Sequence, residues 1–178
     1  MFTIHCYSLS PVVPSGELSG GMLGGLASSF DRKVHCRQAK SFDEFVDETV
    51  EKTNDILLEV FGFGSSDDVL KYFRITSVVY VRNDDQLVAS CLVGRPDHKT
   101  RMIHGLCVKP EFRGKGLGSA LVRCLPLVFP AGIRTGLLVT LGEDNTDRLI
   151  AWYERLGFVQ TKGPASYDEV FMMLKAPQ

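Results

Sequence analysis

The run Val108-Lys109-Pro110-Glu111-Phe112-Arg113-Gly114-Lys115-Gly116-Leu117-Gly118-Ser119 carries the densest chemical signal in this chain. An apolar stretch ends in a turn with glycine at 114, 116 and 118, and a helix-forming pattern follows. Glycine has no Cβ, so backbone N–H groups there can approach an anion closely. The helix start adds unsatisfied donors and the favourable end of the helix dipole. Arg113 and Lys115 add positive charge, and pyrophosphate is the natural ligand of such a nest. Two better-known phosphate loops do not fit. A P-loop requires Ser or Thr after Gly-Lys, and here Gly116 follows Gly114-Lys115. The fingerprint G-x-G-x-x-G fails because Gly116-x-Gly118 runs on to Leu121. A purely structural turn would use glycine as well.

Such a loop needs a strand before it and a helix behind it. Met102 to Val108 reads as the strand, ended by Pro110. Gly116 to Leu127 reads as the helix, with Leu117, Leu121, Cys124 and Leu125 on one face and Pro126 and Pro130 limiting its end. Upstream, Lys33 to Ala39 alternates like a strand. Ser41 with Glu44 forms a capping box for a helix whose apolar positions run from Phe42 to Phe61, stopped by Gly62. A short helix from Ser66 to Phe73 has Asp67 and Asp68 in its first turn. Ile75 to Val81 and Leu87 to Val93 flank a hairpin turn rich in Asn and Asp. Downstream, Gly136 to Leu141 is a short strand, and Asn145 or Thr146 opens a helix through Leu156 that Gly157 closes. Glu169 to Leu174 is the last strand. Two strand–helix units within an otherwise meandering set predict a mixed α/β sheet.

At 178 residues with 44% hydrophobic content, the chain is expected to build one globular core. Twenty basic against 21 acidic residues leave a net charge of -1, which argues against binding nucleic acid or an anionic membrane through bulk charge. No apolar run approaches the roughly 18 residues of a membrane span. No Lys or Arg precedes Arg32, and Pro11, Pro14 and Glu17 interrupt any signal-like stretch, so a cytoplasmic location is expected. Cys6, Cys36, Cys91, Cys107 and Cys124 form an odd set without a CxxC pair, which favours reduced thiols. His5, His35 and His98 offer no metal-ligand spacing. Phe2 to Leu9 has strand character, but Ser10 to Gly25 is rich in Gly and Pro with Glu17 its one charge. Residues 1–32 therefore read as a Gly/Pro-rich extension, with a lid or a homodimer contact as other readings, ahead of a domain over residues 33–178.

Arg113-x-x-Gly116-x-Gly118 after an apolar strand resembles the coenzyme-A signature Q/R-x-x-G-x-G/A of the GNAT superfamily of N-acetyltransferases. A second segment, Asn145 followed by Ala151-Trp152-Tyr153-Glu154-Arg155-Leu156-Gly157-Phe158, is similar to that family's Asn…(F/W)-Y-x-x-x-G-F element. The resemblance covers about Lys33 to the C-terminus. It implies a mostly antiparallel sheet splayed between its fourth and fifth strands, counted from Lys33, and flanked by about four helices. Acetyl-CoA would lie in the splay. Leu106, Cys107 and Val108 would present backbone groups to the acetyl carbonyl and pantetheine. Arg113, Gly114, Lys115, Gly116, Leu117, Gly118 and Ser119 would hold the pyrophosphate, and Asn145 the pantetheine arm. Arg95 to Lys115 carries a local charge of about +4, consistent with a phosphate site or with a solvated face.

Acyl transfer to an amine sets the remaining requirements. A primary alkylamine, with a pKa of about 10, must lose a proton before attack, and the departing thiolate benefits from a donor. Tyr153 occupies the position that in many GNAT enzymes supplies that proton. His104 lies two residues before Leu106, so strand alternation predicts a shared face, and imidazole suits direct or water-relayed deprotonation. Met102-Ile103-His104-Gly105-Leu106-Cys107-Val108 is also similar to the matching strand of serotonin (arylalkylamine) N-acetyltransferases, except that Met102 stands where a second histidine is associated with their base. Between Phe42 and Phe61 the charge is about -6, either a solvated helix face or a surface attracting a cationic acceptor. Acetyl-CoA-dependent transfer to a small amine, lysine or N-terminal amine in a ternary complex is the expected function. A CoA-binding or protein-interaction module without turnover is the alternative.

Overall fold

The computed structural model describes residues 1–9, 30–62, 64, 66–95, 97–129, 132–140, 145–162 and 168–175, with Arg32 described by its backbone only. Eight strands form one sheet: β1 (Phe2–Ser8), β2 (Phe30–Gln38), β3 (Ile75–Asn83), β4 (Gln86–Gly94), β5 (Thr100–Val108), β6 (Arg134–Thr140), β7 (Phe158–Gln160) and β8 (Glu169–Leu174). Their spatial order is β2-β1-β3-β4-β5-β6-β8-β7. Among the described residues only β1–β2 and β5–β6 are parallel pairs, so the sheet is mixed and mostly antiparallel. Helices α1 (Phe42–Phe61) and α2 (Asp67–Tyr72) cover one face, and α3 (Leu117–Val128) and α4 (Thr146–Arg155) the other.

The local signals act as expected at several boundaries. Ser41 caps α1 by accepting from the Glu44 N–H, and Gly62 ends it in the left-handed region at φ 73°. Ser66 caps α2 through the Val69 N–H. Two differences have clear causes. The α3 helix, expected to end at Leu127, continues one residue further to Val128, because Leu125, Val128 and Phe129 are all buried and their packing offsets the amide that Pro126 lacks. The short strand β7 follows Gly157 and pairs with the end of β8, a non-local contact that its three residues do not announce.

The expected boundary at residues 32/33 does not match the sheet. Residues Phe2–Ser8, assigned to the extension, form β1 between β2 and β3, with Ile4, Cys6 and Tyr7 in the core. β2 also begins earlier than predicted, at Phe30. Residues 10–29, including the Gly/Pro-rich run, lie outside the described residues. Counting β1 renumbers the predicted splay: strands four and five from Lys33 are β5 and β6.

That splay is present. β5 and β6 pair from Thr100/Arg134 to Ile103/Leu137, and no further, although β5 continues to Val108 and β6 to Thr140. The two helical faces of the sheet meet at this opening.

Candidate functional site

The turn after β5 passes through a 3₁₀ segment, Pro110–Phe112, into α3. Gly114 and Gly116 sit at φ 74° and 78°, a conformation that a side chain makes costly. Gly116 is the α3 N-cap and contributes no side-chain cap, and the first turn has no acidic residue. The leading amides of α3 are thus left for an external acceptor. Arg113 is oriented by its Nε, which donates to the Val108 carbonyl oxygen at 3.1 Å. Lys115 lies over the Phe112 ring, 4.7 Å from its centroid.

Beside this loop is a cleft of about 510 Å³ lined by Arg113, Asn145, Arg148, Leu149, Trp152 and Arg155. Asn145 is the N-cap residue of α4 but makes no side-chain cap bond. The Trp152 indole packs within 3.5 Å of where a Cβ on Gly118 would lie, and its Nε1–H donates to Ser119 Oγ at 3.3 Å. Sequence reasoning passed over Arg148 and Arg155 as cleft residues. Their spacing from Asn145 and Trp152 on one helical face was the available signal.

On the other side of the splay lies a cavity of about 230 Å³. Its walls are Leu57, Val69, Phe73, Leu92, Met102, Ile103, Gly105 and Leu138, with His104 and Glu169 as the titratable groups. The imidazole of His104 lies tilted against the Phe73 ring, centroids 4.8 Å apart, and lies across Gly94, where a Cβ would sit 2.9 Å from Nε2. Burial holds the His104 pKa down at about 4, so the ring is neutral near pH 7. Glu169 was missed as a lining residue. It opens the last predicted strand, and nothing local in sequence says which end of that strand reaches the cavity.

The expected shared face of His104 and Leu106 is incorrect. β4 pairs Leu92 with His104 and Ser90 with Cys107, so β5 has one extra residue between these pairs. Gly105, at φ 53°, accommodates this bulge. His104 therefore faces the α1/α2 side, whereas Leu106 and Val108 pack on the α3/α4 side. Cys107 returns to the α1/α2 side, buried, its thiol 3.2 Å from Ser90 Oγ. Burial raises its pKa, which keeps it a protonated packing residue.

Tyr153 approaches from α4, 7% exposed, with its ring 4.7 Å from Trp152 and 5.5 Å from Phe158. Burial pushes its pKa well up, so the phenol keeps its proton.

The charge readings change once placed in space. Lys109 pairs with Glu59 at 3.2 Å, Arg101 is buried against the Phe129 ring, and Arg95 bonds the Asp97 carbonyl. Only Arg113 and Lys115 of the +4 stretch stand at the glycine loop. On α1, Glu44 and Glu48 pair with Arg37, and Glu48 also with Lys52. Leu57 alone of that helix lines the 230 Å³ cavity, so the acidic face is not its wall.

The model of the acetyltransferase (GNAT) domain family matches residues 75–160. That match spans just under half of the chain. The loop, His104, Asn145 and Tyr153 all fall within it. A mycothiol acetyltransferase from Corynebacterium efficiens is 31% identical over 99 residues, 55% of this chain and 33% of that protein. The chain thus spans about a third of that curated relative. Among solved structures, the ribosomal-protein-S18-alanine N-acetyltransferase of Escherichia coli superposes with a TM-score of 0.53 at 20% identity, over 68% of this chain and 83% of that one. A GNAT family acetyltransferase from Elizabethkingia anophelis, solved with acetyl-CoA bound, gives 0.53 at 14% identity, over 68% and 89%. These two likenesses show a shared fold. Among the described residues, no helix is long and apolar enough to cross a membrane, and no group of three or more His, Cys, Asp or Glu could hold a metal.

The half-buried histidines give a pH prediction. His5, stacked between the rings of His35 and Tyr80, also has its pKa held down to about 4, first by burial. Between pH 6.5 and 4 the unfolded chain takes up protons that folded His5 and His104 refuse. Stability must then fall as pH drops through this window. Melting temperatures from pH 7.5 to 4.5 are expected to show that fall, and His104→Gln to make it shallower. An unchanged slope in the variant would contradict the assignment.

Proposed function

We propose that the chain is an acetyl-CoA-dependent N-acetyltransferase that acts on a primary amine by direct attack in a ternary complex. The observation that carries this reading is the β5/β6 opening. It has an uncapped glycine-rich helix start on one side and a cavity bearing His104 and Glu169 on the other.

Acetyl-CoA supplies the activated acyl group as a thioester. Gly114, Gly116 and Gly118 let the backbone of Arg113 to Ser119, including Lys115 and Leu117, close around the pyrophosphate. Leu106, Cys107 and Val108 offer backbone groups on the edge that β6 leaves, and Asn145 meets the pantetheine arm. In the cavity Glu169 holds the acceptor ammonium, and neutral His104, directly or through water, takes the proton as the amine attacks. An imidazole with a pKa of about 4 is a weak base, so it acts best as one member of such a relay. Tyr153 donates to the developing thiolate. Cys107, protonated and bonded to Ser90, fits no acyl-enzyme step.

The mostly apolar lining favours a compact amine on an apolar body over a polyamine, which needs several carboxylates. The similarity of Met102 to Val108 to arylalkylamine N-acetyltransferases points the same way. Thiol release from acetyl-CoA, measured across small amines and lysine peptides, tests the proposal. Turnover with compact apolar amines is expected, and no release above the hydrolysis background with any amine would refute it.

A further inference from the structure

We propose that Arg148 and Arg155 make the donor cleft selective for a nucleotide carrying a 3′-phosphate, so that the chain discriminates coenzyme A from 3′-dephospho-coenzyme A. This rests on the acetyl-CoA reading and assigns recognition to two α4 side chains that the reading does not use.

Asn145, Arg148, Trp152 and Arg155 follow one another at helical spacing and line the same cleft of about 510 Å³. Arg113 enters from the loop, and among the described residues no carboxylate lines the cleft. Asp147 and Glu154 lie on the same helix but outside the lining, and Glu154 accepts from Gln160 at 3.1 Å. Three guanidiniums in one cleft repel one another, an arrangement that a bound polyanion relieves.

The pyrophosphate already has its donors in the free amides at the start of α3. The α4 arginines therefore exceed what that group needs. A phosphate monoester adds close to two negative charges with the oxygen geometry that guanidinium engages in paired bonds. Trp152 adds a fixed flat wall, since its bond to Ser119 and its packing against Gly118 restrain the indole. An aromatic wall can stack a base without reading its sequence. Arginine, indole and arginine thus match a phosphorylated adenosine better than a bare diphosphate.

Calorimetric titration of the wild-type protein with coenzyme A and with 3′-dephospho-coenzyme A tests this without an amine or turnover. Coenzyme A is expected to bind about tenfold tighter or better. The exposed pair R148Q/R155Q is expected to bind both nucleotides equally, with affinity for the 3′-dephospho form unchanged. Equal wild-type affinity for the two would overturn the selectivity while leaving the donor reading intact. Equal loss for both in the variant would overturn it as well, by tying the arginines to the shared pyrophosphate. Failure of coenzyme A itself to bind would overturn the donor reading and the selectivity together.

Discussion

Tyr153→Phe is expected to lower kcat about 100-fold or more, within the range typical of a lost acid–base group, while acetyl-CoA affinity stays within about twofold. The phenyl ring is the part that packs, against Trp152 and Phe158, and phenylalanine keeps it. What the variant loses is the hydroxyl. Burial keeps that hydroxyl protonated well beyond neutral pH, so it can donate to a thiolate near pH 7. Because its pKa lies above that of a thiol, about 8.5 if it behaves like cysteine, its main service is a strong hydrogen bond to the developing charge, with the attacking nitrogen as the final proton source. Steady-state thiol release and calorimetry on the same preparation separate the two effects. Unchanged turnover would remove Tyr153 from the mechanism.

Gly116→Val is expected to weaken acetyl-CoA binding about 30- to 150-fold, or about 2–3 kcal/mol, by disturbing amide bonds to a charged group. Two causes act together. A β-branched residue at φ 78° is strained, and relaxing that strain rotates the leading amides of α3 away from their common target. Its added bulk at the uncapped helix start would also hinder an anion from reaching those amides. Thermal melts show whether the fold survives, and calorimetry gives the affinity. Binding within threefold of wild type in a folded variant would show that the loop is only a turn.

Much of this architecture is written in local signals. Ser41, Glu44, Gly62 and Ser66 mark helix ends through bonds to residues three or four away, and the glycine loop carries its own conformational requirement. The sequence was less readable where the determinant was a partner strand. Phe2 to Ser8 is a good strand by composition, but its central place depends on pairing with Phe30 to Gln38 and Ile75 to Asn83. The bulge at Gly105 was hidden for the same reason, since simple alternation carries no information about one extra residue against β4. Glu169 and Arg148 entered the picture only when folding brought their ends of β8 and α4 to the two sides of the splay.

The position of β1 also bears on how the chain is made. Its antiparallel partner is complete only at Asn83, about 75 residues after Ser8, which at ribosomal speeds is a wait of roughly 4–15 s. During that interval β1 has only β2 to pair with, and an isolated two-stranded ribbon is marginal in water. Ile4, Cys6 and Tyr7, all core residues in the end, spend those seconds without their final neighbours. The nascent chain therefore presents a sticky strand early and buries it late, a window in which a ribosome-associated chaperone has most to protect.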